Sequence, residues 1–403
     1  MSASVLYHGF GIRGYDYERT FYDDGIMTFR ISQARDQLRC PRCGTPHVER
    51  RGEIPRTFRL VPIGRRPVQV VLGIPRVFCE RCGITRQAKV GFADEHRRYA
   101  RSFERYVLEL SQHMTIKGVA RHLQISWGTV KEIQKRHLER HYACPKLRHL
   151  KEIAIDEICV GKNRYLTLVL DLRTGAVVFV GKGKGGDALE PFWRRLKSSR
   201  AKVKAVAIDM SNAYTKAVRD NLPDAMLVYD HFHIIKLYND KLTGLRRDLY
   251  REAVEGLHKD VLKGIRWLLL KNRENLDPKK REQERLDEAL ELNESLFIAY
   301  YMKDQLRLLW SQPDKRTARQ FLKGWIELAN YTGIRMLMSF AKTLAAHREG
   351  ILAWYDYQIS TGPLEGTNNK IKTMQRQAYG FRDREFYELK IMAIHEATYE
   401  LVG

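Results

Sequence analysis

EIAIDEI (residues 152–158), RYLTLVLDL (164–172) and AVVFVG (176–181) read as three successive β-strands, because apolar and β-branched runs alternate with turn residues. Behind them come DALEPFWRRLK (187–197), KAVAID (204–209), NAYTKAVRDNL (212–222) and AMLVYD (225–230), which read as helix, strand, helix and strand. Outward from this stretch the texture changes on both sides. From His231 to about Gln358 nearly everything follows a helical pattern, with Trp267, Trp310, Trp325 and Trp354 among the apolar positions. STGPLEGTNNKIKTMQRQAYGF (360–381) then opens on turn residues and runs into a basic helix. On the other side, His96 to Lys151 is helical and basic, with 13 Lys and Arg against four Asp and Glu. Ahead of it, TFRLVPI (57–63) and RPVQVVLGIP (66–75) alternate apolar and polar residues with the period of strands. The chain thus divides into residues 1–95, 96–150, 151–230, 231–358 and 359–403.

Three strands, a helix, a strand, a helix and a strand is the order expected of a ribonuclease H-like α/β core. The expected fold is therefore multidomain α+β. The core begins at 151–230, is interrupted by an all-helical insertion at 231–358, and is completed by 359–403. Two acids stand out in it: Asp156 sits mid-strand in IAIDEI and Asp209 ends AVAID. An Asp inside an otherwise apolar strand is costly unless a cation or hydrogen bonds meet it. Strand alternation places Glu157 on the face opposite Asp156, so those two cannot serve one site. Two Asp on adjacent strands, with a Glu arriving from a later helix, can hold two magnesium or manganese ions about 3.5–4 Å apart. Glu365, in TGPLEGTNNKIK, is the best third ligand. Asp171, before Arg-Thr-Gly, reads as a turn residue instead.

CPRCG (Cys40, Cys43) and FCERCG (Cys79, Cys82) are two knuckles, each a CxxC turn followed by Gly. Four thiolates so arranged close a tetrahedral structural zinc site, so residues 1–95 read as a zinc-binding, ribbon-like module. The segment between the knuckles exceeds the usual ribbon gap of roughly 15–20 residues, and its strand-like insert can absorb the excess. Cys144 and Cys159 stand alone and read as ordinary buried thiols. MTIKGVARHLQISWGTVKEIQKRHL (114–138) reads as helix, turn, helix. Val119, Ala120 and Leu123 form one apolar stripe and Val130 and Ile133 the next, with Ser126 placed to cap the second helix. In a helix-turn-helix DNA-binding domain (96–150) the first turn of that helix enters the major groove, here with Ser126, Trp127, Thr129 and Lys131. Lys135 and Arg136 would hold phosphates.

Composition agrees. The 403 residues carry 71 Lys and Arg against 48 Asp and Glu, a net charge of +23, with 44% hydrophobic residues. A folded chain this basic favours a polyanionic partner, because each cation placed on a phosphate releases counterions. Six Cys in this length exclude a disulfide scaffold. No apolar run is long enough to span a bilayer, and the N-terminal residues lack the pattern of a secretory signal, so a cytoplasmic protein without a membrane partner is expected.

The two knuckles, the helix-turn-helix, IAIDE, AIDMS, DHFHIIK and EGTNNKIKTMQRQAYGFR occur in that order. Together they resemble a bacterial transposase of the ISL-three insertion-sequence family, within the Asp-Asp-Glu recombinases. The resemblance covers nearly the whole chain, and its C-terminal stretch is the most specific part. It implies Asp156, Asp209 and Glu365 as the catalytic triad and magnesium ligands, with Asp230 and His233 as site support. It implies double-stranded DNA, both element ends and target, as partner, a homo-oligomer on that DNA, and association with the bacterial nucleoid. Asn369, Lys372 and Arg376, on the helix after Glu365, would contact phosphates.

Three rival readings explain less. GKGKGG (181–186) matches the dinucleotide fingerprint G-x-G-x-x-G, but a nicotinamide enzyme leaves the knuckles, the charge and EGTNNKIK without a role. A non-catalytic DNA-binding regulator derived from a transposase would not need all three carboxylates. A nuclease acting by hydrolysis alone would yield no joined products.

Overall fold

The computed structural model describes residues 3–253 and 257–395, which form two compact units. The first takes the described residues up to Ala143 together with Met374–Leu389; the second takes Cys144–Thr373 together with residues 390–395.

In the first unit a short helix α1 (Ala3–Phe10) precedes β1 (Asp16–Asp23), β2 (Ile26–Ser32), β3 (Glu49–Ile63), β4 (Arg66–Cys79) and β5 (Ile84–Gln87). The strands lie in the order β1-β2-β4-β3, and β5 pairs with the end of β4. All pairings are antiparallel except β2 with β4. Alternation does the work expected of it: Val68, Val70, Leu72 and Ile74 of β4 all point into one core against Phe58, Leu60, Phe29 and Ile31. The excess between the knuckles is now accounted for, since most of it is the long β3–β4 hairpin. Helices α2 (Arg101–Leu110), α3 (Ile116–Leu123) and α4 (Trp127–Tyr142) follow. Their small core holds Val119, Ala120, Leu123, Val130 and Ile133, the two stripes read from the sequence.

In the second unit β6 (Glu152–Gly161), β7 (Arg164–Asp171) and β8 (Val177–Lys182) form an antiparallel meander. After α5 (Glu190–Ser199), β9 (Ala205–Ile208) pairs parallel to β6; after α6 (Asn212–Asn221), β10 (Met226–Tyr229) pairs parallel to β9. The sheet order is β10-β9-β6-β7-β8, with β6 in the middle. Then come α7 (His231–Glu252), α8 (Leu257–Gly264), α9 (Glu282–Glu291), α10 (Glu294–Arg307), α11 (Lys315–Tyr331), α12 (Arg335–Ala346) and α13 (Arg348–Leu352). The apolar core under the sheet continues without a break from Ile208 and Tyr229 into Tyr238, Leu306, Trp325 and Phe340 of these helices. The chain closes with α14 (Gly362–Gln377) and α15 (Arg384–Met392).

Three expectations are corrected. Cys144 and Cys159 are exposed rather than buried, Cys144 lying just past α4 and Cys159 near the end of β6, on residues that face away from the core. Trp267 is 64% exposed, with the Arg266 guanidinium over its ring, so it does not share the packing role of Trp325. Asp171, by contrast, does close its turn, accepting hydrogen bonds from the Arg173 amide and the Thr174 hydroxyl.

Candidate active site, cysteine cluster and DNA-reading helix

The register of the second sheet sets two carboxylates side by side. The β6–β9 ladder ends with Ala154 opposite Ala207, and two residues further along each strand lie Asp156 and Asp209. Neighbouring strands stand about 4.8 Å apart, so Asp156, in the middle of β6, lies beside Asp209, the residue that follows the carboxyl end of β9. Asp230 follows β10, which pairs Tyr229 with Ile208, so a third Asp stands next to Asp209 along the same edge. That edge is where open α/β sheets place their ligands.

Each acid is held differently. Burial pushes the Asp156 carboxyl above the ordinary carboxylate range, and the charge of Asp209 adds to the effect. Asp209 is half-buried and accepts the Ser211 amide at 3.0 Å, which turns the chain into α6. Asp230 is fully buried, which alone would raise its pKa; hydrogen bonds from His233 (3.0 Å) and Thr361 (2.8 Å) outweigh burial and hold it low. His233 in turn is raised, first by that hydrogen bond to Asp230 and then by the charges of Asp156 and Asp209. Glu157 faces the other way, as alternation requires, and accepts the Tyr214 hydroxyl at 3.1 Å.

Glu365 sits in the first turn of α14 and is exposed. Two anchors fix that turn against the sheet edge. Thr361, four residues earlier, donates to Asp230, and its carbonyl accepts the Glu365 amide at 2.9 Å. Asn368, three residues later, donates to Asp156 Oδ2 at 3.0 Å across 212 positions of sequence. Residues three and four apart share a helix face. Glu365 therefore rides between one residue bound to Asp230 and one bound to Asp156. Sequence reading missed Thr361 and Asn368; the only available signal was their spacing of four and three from Glu365. The oxygens of Asp156, Asp209 and Glu365 do not form a single cluster within 4.8 Å. Two-metal sites, whose ions themselves stand about 3.5–4 Å apart, do not require one. Asn369 and Lys372 are exposed on α14, and Arg376 is exposed near its end.

The loop carrying GKGKGG connects β8 to α5, but two of its glycine amides are spent inside the fold. Gly183 N–H donates to the Tyr165 carbonyl and Gly185 N–H to the Tyr214 hydroxyl. A phosphate would find these donors already occupied.

The four knuckle sulfurs of Cys40, Cys43, Cys79 and Cys82 all lie within 4.8 Å of one another, the only such His, Cys, Asp or Glu group of three or more among the described residues. Cys43 and Cys79 sulfurs are 3.7 Å apart and those of Cys40 and Cys82 4.0 Å. Four sulfurs at 2.3 Å from a tetrahedral ion sit about 3.8 Å apart, so the spacing fits zinc and is far too long for disulfides.

In the helix-turn-helix, Thr115 caps α3 by accepting the Gly118 amide, and Ser126 caps α4 by accepting the Thr129 amide at 3.0 Å. Ser126→Ala should lower stability by about 1 kcal/mol, read as a shift of the denaturant midpoint with unchanged slope. Trp127 is 60% exposed at the start of α4, beside half-buried Thr129. The cations further along are engaged. Lys131 pairs with Asp383 at 2.8 Å, Lys135 with Asp383 and Glu385, and Arg136 with Glu104. Lys135 and Arg136, expected to hold phosphates, are thus met by carboxylates of their own chain.

A helix-turn-helix following a four-thiol module, and preceding a sheet edge lined with carboxylates, is the make-up of a transposase. Comparison with known families agrees segment by segment. Residues 36–82 match the zinc-finger of transposase IS204/IS1001/IS1096/IS1165, residues 88–138 the helix-turn-helix domain of transposase family ISL3, and residues 153–391 the transposase domain of that family. The chain is 33% identical over 399 residues to the transposase for insertion sequence element IS1001 of Bordetella parapertussis, covering 95% of this chain and 96% of that one. It is 28% identical to the transposase for insertion sequence element IS1557 of Mycobacterium tuberculosis, covering 92% and 89% respectively. The chain belongs to the ISL3 family of insertion-sequence transposases.

Proposed function

We propose that the chain binds the terminal inverted repeats of an insertion sequence and cleaves and joins DNA as an Asp-Asp-Glu enzyme. On this reading Asp156, Asp209 and Glu365 are the catalytic triad of a ribonuclease H-like core. Residues 151–230 and 359–403 form that core, and residues 231–358 are a helical insertion that hands the chain back to the sheet edge. The observation that carries the reading is the double anchoring of the Glu365 turn, through Thr361 to Asp230 and through Asn368 to Asp156. The sheet order, with the first Asp on the central strand, supports the core assignment.

The donor set fits magnesium or manganese. It consists of hard oxygens, and the Oδ1 atoms of Asp230 and Asn368 are buried without a hydrogen-bond partner. Acids on adjacent strands, one of them raised by burial, also call for a cation. When bound, two such ions would activate a water or a 3′-hydroxyl and stabilise the leaving oxygen. The protein's own part is to hold the acids in register and Glu365 at the edge, and to keep Asp230 ionised through His233 and Thr361, so that His233 stays oriented beside Asp156 and Asp209. Each step exchanges one phosphorus–oxygen bond for another, so the 3′-hydroxyl freed by cleavage serves as the nucleophile of joining.

Zinc at Cys40, Cys43, Cys79 and Cys82 supports the fold of residues 1–95, and residues 96–150 read the ends through Ser126, Trp127, Thr129 and Lys131, the last exchanging its Asp383 partner for DNA. Asn369, Lys372 and Arg376 contact phosphates. The enzyme works as a homo-oligomer on double-stranded DNA in the bacterial cytoplasm; no helix among the described residues is long and apolar enough to cross a membrane. The test is an assay with magnesium or manganese on duplexes carrying the gene's flanking inverted ends. Joined products are expected. Nicks without joining would favour a hydrolytic nuclease, and end binding without nicks a regulator. Within the same scheme, replacing Trp127 and Thr129 by Ala should weaken binding to element ends by about 10-fold or more while changing random DNA little, since base contacts specify and phosphate contacts do not. Equal loss on both duplexes would reject the recognition helix.

A further inference from the structure

Two sets of cations in the first unit contrast. Those along and facing α4 are matched by acids: Arg97 with Glu132, Arg101 and Arg140 with Asp94, Arg136 with Glu104, Lys131 and Lys135 with Asp383. A second group lines a cleft of about 440 Å³ between the tip of the β3–β4 hairpin and α3. Its walls include Arg59, Pro62 and Arg65 from the hairpin and Gly118, Arg121 and His122 from α3, with no acidic residue among its lining. Arg65 and Arg121 are exposed, and neither makes an ion pair within 4 Å among the described residues. Arg59 forms the floor. Its Nη2 donates to the Leu123 carbonyl at the end of α3 (3.0 Å), while its Nε is buried with no partner. That guanidinium is desolvated without a carboxylate to offset it.

We propose that this cleft is a second DNA contact, a clamp for the sugar–phosphate backbone formed jointly by the zinc-module hairpin and the first helix of the helix-turn-helix. An open, acid-free cleft with a half-buried guanidinium at its floor suits a phosphate, whose charge completes what the fold leaves uncompensated. The clamp rests on the DNA-binding reading above and deepens it. It assigns backbone holding to the hairpin and α3, and leaves base reading to α4. Because phosphates carry no sequence, the clamp contributes affinity equally on every duplex.

The experiment measures binding of the full, zinc-loaded chain to two duplexes, one carrying an element end and one scrambled, across a range of salt. Arg65→Ala with Arg121→Ala should weaken binding to both alike, by roughly 10-fold per arginine near 0.1 M salt, and flatten the slope of log affinity against log salt by about 0.9 for each. Arg101→Ala removes a cation already paired with Asp94 and should change the slope far less. Replacement by Lys at both positions should restore most of the slope, which a purely structural role would not require. An unchanged slope in the double Ala variant, or one that falls no further than in Arg101→Ala, overturns the clamp alone. A parent chain showing no salt-dependent binding to either duplex overturns the DNA-binding reading together with it.

Discussion

Asp209→Asn is expected to lower metal-dependent cleavage and strand transfer by about 10³-fold or more while leaving binding to element ends nearly unchanged. Metal ions at such a site supply several kcal/mol of charge stabilisation in the transition state, and each 1.36 kcal/mol is tenfold in rate. Asn is isosteric with Asp and can still accept the Ser211 amide, so the turn into α6 survives. What it loses is the negative charge beside Asp156, which a cation needs. Both steps should fall together, because both use the same ions. The readouts are nicked and joined products over time, with end binding measured on the same preparation. A variant that cleaves at nearly the parental rate would remove Asp209 from the triad.

The second large effect concerns the four thiols. Structural zinc contributes roughly 10–16 kcal/mol in small zinc-finger peptides, as much as the entire stability of many domains. Cys79 closes β4, whose register with β3 and β5 builds the sheet of the first unit. Cys79→Ser, or zinc removal by a strong chelator, should therefore abolish the cooperative unfolding of this unit and its DNA binding. Thiol titration gives a sharp check. Exposed Cys144 and Cys159 should react at once in the loaded protein, and the four knuckle thiols only after chelation. Metal analysis without zinc, with all six thiols reacting freely, would reject the site.

How much of this was legible depended on range. The second sheet could be read because its strands are apolar runs between clear turns, and Asp156 and Asp209 stood out as charges in such strands. In contrast, β1 (DYERTFYD) has little apolar alternation and is mostly exposed, so no period-two signal marked it. Thr361 and Asn368 escaped notice because their importance lies in partners 131 and 212 residues away. The same blindness hid the acid that meets Lys135, since Glu385 lies 250 positions downstream. Cys144, Cys159 and Trp267 were judged by residue type, and type alone does not decide burial just past a helix, near the end of a strand or in a surface turn.

One feature of the chain path governs when the molecule becomes complete. Residues 374–389 belong to the same unit as residues up to Ala143, and Cys144–Thr373 of the second unit is strung between them. Asp383, the partner of Lys131 and Lys135, leaves the ribosome long after its cations do. At roughly 5–20 residues per second, the interval from Ala143 to Asp383 lasts tens of seconds. During that time the zinc knuckles and the helix-turn-helix have already been synthesised, whereas Glu365, Thr361 and Asn368 have not. The nascent chain thus holds its DNA-binding elements before it holds Glu365, and on α4 Lys131 and Lys135 wait for Asp383 and Glu385 until translation nears its end, whereas Arg136 and Arg140 already have Glu104 and Asp94. Long-range contacts of this kind form late and slowly. Biosynthesis itself imposes an order, grip before blade.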